Sequence, residues 1–66
     1  MTLIGGPYNG RMLEDSGTVT IRMLILDGGR VKGARCGEAV YEPDDERKHA
    51  FWLENRWDGT LEQIIE

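Results

Sequence analysis

Pro43-Asp44-Asp45-Glu46-Arg47-Lys48-His49-Ala50-Phe51-Trp52-Leu53-Glu54-Asn55-Arg56-Trp57 is the stretch on which the fold turns. Read as a helix, Pro43 sits at the start and Asp44, Asp45 and Glu46 fill the first turn, where carboxylates meet the positive end of the dipole. Ala50, Leu53 and Trp57 then recur on one face, and Gly59 stops the element. Read as β, Ala39–Pro43 and His49–Trp57 form a hairpin with an acidic tip at Asp44-Asp45-Glu46, and Phe51, Leu53 and Trp57 line one face. Aromatic enrichment and the surrounding glycines favour the strand reading, with a short helix between Pro43 and Trp57 as the alternative.

Just upstream, Thr18 to Leu26 is the clearest element. Val19, Ile21, Met23 and Ile25 alternate with Thr20, Arg22, Leu24 and Leu26, a period of two rich in β-branched residues. One face is wholly apolar. The other begins polar and becomes apolar, which predicts that the far end of the strand is covered on both sides. Asp27-Gly28-Gly29 follows, and Asp-Gly is a strong hairpin signal because both central positions tolerate positive φ. A return strand is expected from about Arg30 to Arg35, short and basic, as an edge strand protected against further pairing.

The first residues read as a turn between short strands at Thr2–Ile4 and Arg11–Glu14. In Gly5-Gly6-Pro7-Tyr8-Asn9-Gly10, Pro7 fixes φ and Asn9-Gly10 favours a primed turn. Asp15-Ser16-Gly17 turns the chain into the main strand. At the other end, Thr60-Leu61-Glu62-Gln63 has capping-box spacing, and a helical turn or a last strand is compatible with it. The expected fold is mainly β, with α+β as the alternative: a small antiparallel sheet or open barrel of four to six short strands in one domain over residues 1–66.

At 66 residues the chain is near the lower limit for a core that stabilises itself without staples. A homodimer, or a homo-oligomeric structural role, would add burial. Cys36 is the single cysteine, so no disulfide forms within one chain and no Cys-based zinc site is expected. No apolar run approaches the ~20 residues that span a bilayer, and the first residues lack the basic-then-apolar pattern of a signal peptide. A cytoplasmic location with no membrane partner is the expectation.

The net charge is −4, which argues against general nucleic-acid binding because Lys and Arg must replace phosphate counterions. The charge is unevenly placed. Residues 1–36 carry five basic against three acidic side chains, or +2; residues 37–66 carry three against nine, or −6.

Few residues offer chemistry. Gly5-x4-Gly10 has P-loop glycine spacing, but Arg11 and Met12 stand where Lys and Ser or Thr must follow, so it reads as a plain turn. His49 is the one histidine, and with Cys36 it makes two soft ligands, too few to close a zinc site. A Cys–His activity would require the two to meet; otherwise both are ordinary structural residues. The carboxylates of Glu42, Asp44, Asp45 and Glu46 lack the alternation of a calcium loop. They read either as a solvated turn or as an acidic knob for a basic partner surface. Trp52 faces away from Phe51, Leu53 and Trp57 on the strand reading, either as an interface anchor or as cover for the second face of a thin sheet.

The opening Gly5-Gly6-Pro7-Tyr8-Asn9-Gly10-Arg11-Met12, with Tyr41 and the aromatics at Phe51-Trp52, resembles a class of short uncharacterised phage and bacterial proteins. These begin with Gly-Gly-Pro-aromatic-Asp-Gly and continue as short strands with spaced aromatics; Asn9 stands here where Asp is usual. The resemblance implies a small β domain of phage or mobile-element origin and brings no catalytic residue with it.

The functional expectation is a non-enzymatic protein-binding module with no cofactor. It would act as a phage or mobile-element accessory protein, an inhibitor of a host protein of the anti-CRISPR or anti-restriction kind. Glu42, Asp44, Asp45, Glu46 and Trp52 would form its partner-binding surface. A small β-barrel that binds nucleic acid through Arg22, Arg30, Lys32 and Arg35 is the alternative.

Overall fold

The computed structural model describes residues 1–63, and the last part of the C-terminal stretch lies outside them. Four strands, β1 (Thr2–Ile4), β2 (Ile21–Asp27), β3 (Arg35–Pro43) and β4 (His49–Thr60), form one sheet in the order β1-β4-β3-β2. The sheet curls into a half-barrel. Three strands follow an antiparallel path, while β1 runs parallel to β4, with Leu3 opposite Ala50. Among the described residues there is no helix.

The stretch from Pro43 to Trp57 is therefore a hairpin. Its tip supplies the reason. The Asp44 carboxylate accepts the amide of Lys48 at 3.0 Å, the Asp44 amide donates to the His49 carbonyl at 2.9 Å, and Arg47 takes up the left-handed φ of 56°. These bonds reverse the chain where a helix would have continued it.

The register then departs from simple alternation. Tyr41 lies opposite Trp52, but Val40 lies opposite Glu54, so Leu53 is an extra residue in β4. A second shift, between Cys36 and Gly37, makes Asp58 extra as well. Bulges of this kind raise the local twist and re-aim side chains. Phe51, Leu53 and Trp57 consequently do not share a face. Trp52 and Trp57, expected on opposite faces, point to the same one.

β2 keeps its period of two. Ile21, Met23 and Ile25 face inward, and Arg22 and Leu24 are exposed. Val19 precedes the strand and is exposed. The double cover expected at the far end is missing on one side, because Leu24 is 57% exposed. The return strand begins at Arg35 rather than Arg30, with Asp27 opposite Arg35. Residues 28–34 form a longer loop, since Leu61 takes its backbone groups: Gly33 donates to the Leu61 carbonyl and Leu61 to that of Ala34. Of this pair β2 is thus the edge strand, with β1 at the other edge of the sheet, and β3 is central.

Of the two early strands, β1 forms as expected. Arg11–Glu14 contributes only an isolated bridge of Met12 to Thr2, with backbone bonds from Leu3 to Arg11 and from Leu13 to Met1.

Leu3, Ile25, Ala39, Tyr41 and Ala50 make the core, with Met1, Tyr8, Leu13, Ile21 and Met23 packed around it. Full burial of a side chain such as Leu3 contributes roughly 1.5–3 kcal/mol, so few contacts carry this fold. Ala39 and Ala50 are fully buried on the same face as Tyr41, whose hydroxyl holds the Gly5–Gly10 turn.

Candidate binding face

The turn over residues 5–10 is held by three side chains, of which Tyr41 and Tyr8 tie it to the sheet. The Tyr41 hydroxyl, fully buried, donates to the Gly5 carbonyl at 2.7 Å and accepts the Tyr8 amide at 3.0 Å. Asn9 Oδ1 accepts the Gly5 amide at 2.7 Å and closes the turn from within. The Tyr8 hydroxyl reaches across to donate to the Leu24 carbonyl on β2. Gly6 lies directly against the indole of Trp52.

The turn lies against the inner face at Tyr41 and Trp52. Beyond it lies an open groove of about 790 Å³, lined among others by Pro7, Tyr8, Ile25, Asp27, Asn55 and Trp57. Trp57 is 40% exposed, and the guanidinium of Arg35 stacks 4.4 Å from its ring centre. Arg35 also pairs with Asp27 at 3.6 Å. Arg11 lies 5.7 Å over the Tyr8 ring. Each groove aromatic therefore carries a cation on one side, an arrangement that holds the ring in place.

Asn55 is oriented by its neighbour. The indole N–H of Trp52 can only donate, and it donates to Asn55 Oδ1 at 2.9 Å. The amide nitrogen of Asn55 is thereby assigned as a donor facing elsewhere on a groove-lining residue.

The five residues expected to bind a partner do not form one patch. Asp44 holds the hairpin tip and lies 3.6 Å from His49. Partial burial opposes its charge, but the amides of His49 and Lys48 outweigh that and keep its carboxyl below the ordinary value. Glu46 pairs with Lys48 at 3.6 Å. Arg47 leaves the tip to bind Asp15 at 2.6 and 2.7 Å and the Thr18 carbonyl at 2.9 Å. Asp45 is exposed at the tip, Glu42 is exposed opposite Phe51, and Trp52 lies on the inner face against Gly6.

The alternative basic set is divided too. Arg30 lines the groove, Arg35 stacks on Trp57 and Lys32 belongs to the adjoining loop. Arg22 is on the opposite face, 3.9 Å from Glu38.

Cys36 and His49 do not meet. Cys36 lies opposite Gly59, ten positions along β4 from His49, or roughly 30 Å at the rise of a strand. Among the described residues no group of three or more His, Cys, Asp or Glu is placed to hold a metal ion. The amides of Gly5, Tyr8, Asn9, Gly10 and Arg11 all donate within the protein, so the P-loop-like spacing makes a turn. Among the described residues no helix is long and apolar enough to cross a membrane.

The groove was hidden from the sequence because two bulges and a cross-sheet turn assemble it. Trp57, Tyr8 and Asn55 carry no motif in common. Comparison with family models, with curated proteins and with solved structures finds no match for this chain.

Proposed function

We propose that this protein is a non-catalytic protein-binding module, and that its partner docks in the groove between Tyr8 and Trp57. One observation carries the reading. The sheet stops at half a barrel, so aromatic and apolar groups that would fill a closed core line an open groove. Grooves of this size, walled by aromatics with a few fixed polar groups, are the usual form of a recognition site. The net charge of −4 favours a basic partner surface and speeds the encounter, without supplying much of the affinity. The acidic tip serves as a steering element, since Asp44 is held by the turn and Glu46 by Lys48.

The test is affinity capture combined with photo-crosslinking from position 57 and from position 46, at low and moderate salt. A partner crosslinked from position 57, and lost on Trp57→Ala, is the expected result. Capture that survives Trp57→Ala but disappears with Asp45→Lys and Glu46→Lys would move the site to the tip. Recovery of nothing at either salt would count against a binding module.

A second reading rests on the Arg35–Trp57 stack, 4.4 Å apart, with Arg30 in the same groove. Single strands bind where bases stack on aromatics beside a basic track. A gel shift of oligothymidylate in low salt, abolished by Trp57→Ala, is its signature. Absence of a shift removes it.

A further inference from the structure

We propose that the outer face of the sheet packs against the same face of a second copy of this chain. The proposal goes beyond the binding groove, whose Asn55 and Trp57 lie on the inner face, opposite Ala39 and Gly37.

The first observation is a stripe that the strand register builds. On the outer face Ile4 of β1 pairs directly with Phe51 of β4. Phe51 stands opposite Glu42, so Val40 is its diagonal neighbour on β3. Val40 stands opposite Arg22, so Leu24 is its diagonal neighbour on β2. Diagonal neighbours lie about 7–8 Å apart, within reach of long side chains. One apolar stripe thus crosses all four strands. Val40 is buried, but Ile4 is 37%, Phe51 49% and Leu24 57% exposed. Among the described residues no helix or second sheet covers this face.

The second observation is area. The chain exposes 4758 Å², whereas a folded monomer of 7.5 kDa exposes about 4,250 Å². Its radius of gyration of 13.0 Å is that of a domain of about 100 residues. Tyr41 and Leu3 are the largest side chains fully removed from water. A standard interface takes about 800 Å² from each partner, enough to remove the excess.

The third argument selects the occupant. The shortage of burial belongs to the folded chain itself, so what relieves it must be present whenever the chain is folded. A second copy meets that condition. A stripe that crosses the whole sheet lies on its own copy under a twofold axis, and packing sheets face to face is a stable way to bury such faces. The flanking charges are of both signs, Arg22 and Arg56 against Glu38, Glu42 and Glu54, so opposite signs can meet across the axis. Pairing through the sheet edges is obstructed. The Tyr8 hydroxyl takes the Leu24 carbonyl on β2, and beside β1 the Leu3 amide donates to Arg11 and the Leu13 amide to Met1.

Sedimentation equilibrium of the full chain over a concentration series tests the proposal. Twice the chain mass of 7.5 kDa is expected at the upper end, with a thermal midpoint that rises with concentration. Phe51→Asp and Leu24→Asp alter side chains that are about half exposed in the single chain, so each should fold. Each should raise the dissociation constant about tenfold or more. Val31→Asp is the matched control, because Val31 is 53% exposed but lies in the loop after β2; it should leave the constant unchanged. A soluble paramagnetic probe reads the same face without any substitution. The methyl signals of Ile4 and Leu24 should be shielded in concentrated samples and broadened on dilution. A monomer at every concentration would overturn the proposal. So would Asp variants that dimerise as tightly as the parent, a dimer lost on Val31→Asp, or shielding at the Trp57 indole in place of these methyls.

Discussion

Trp52 leaves no room for a side chain at Gly6. A Cβ built there would sit 2.5 Å from the indole Cγ and 2.6 Å from Cδ1, and Gly6 has a φ of +64°. The opening turn and the hairpin strand thus meet through backbone on one side and a flat ring on the other. Gly6→Ala combines a left-handed backbone with overpacking, and about 2–4 kcal/mol of stability should be lost. Urea unfolding measures it. A loss under about 0.5 kcal/mol, within the range of a neutral surface change, would mean that the turn does not rest on Trp52.

Gly37 is required for a different reason. Its φ is ordinary, but a Cβ would fall within contact radius of the Arg56 carbonyl oxygen and 3.0 Å from the Trp57 Cα. Those are backbone atoms and cannot rotate away. The close approach sits at the register shift that makes Asp58 extra. Gly37→Ala should therefore cost about 3 kcal/mol or more and broaden the NMR signals of residues 56–59 before those of the tip.

Tyr41→Phe isolates the polar side of the same contact. The ring stays buried, while the Gly5 carbonyl and the Tyr8 amide lose their shared partner. These groups are partly buried, so leaving them unpaired costs about 1 kcal/mol, the low end of the range for buried groups. Amide exchange at Tyr8 should accelerate in parallel, and unchanged exchange there would show that the turn is held by Asn9 and Tyr8 alone.

These contacts explain what the sequence could and could not show. The period of two in Ile21, Met23 and Ile25 reports a half-buried strand because alternation depends on that strand alone. The aromatics at Phe51 and Trp52 similarly resolve the hairpin against a helix. The extra residues at Leu53 and Asp58 depend on how β3 and β4 fit each other, so neither strand announces them. The parallel pairing of β1 with β4 joins residues 47 positions apart, as Leu3 to Ala50, and no local signal encodes it. Without those features Trp57 reads as one more core residue, and the groove has no wall at Tyr8.

The link between Asp15 and Arg47 should make stability fall in acid in a defined window. The hydrogen bond from Arg47, and after it the Gly17 amide, lowers the Asp15 carboxyl from 3.8 to about 2. A carboxyl whose pKa is depressed on folding stabilises the folded state above its unfolded value and loses that contribution as pH falls through its folded value. The contribution is thus complete above about pH 5 and declines between about pH 4 and 2. Comparing the thermal midpoints of the parent and Asp15→Asn across that range tests it. The gap should be widest near neutrality and close toward pH 2, and added salt should narrow it because the pair is partly exposed. A gap that persists unchanged at pH 2 would assign the effect of Asp15→Asn to the Gly17 amide bond, which an asparagine oxygen alters without a change of charge.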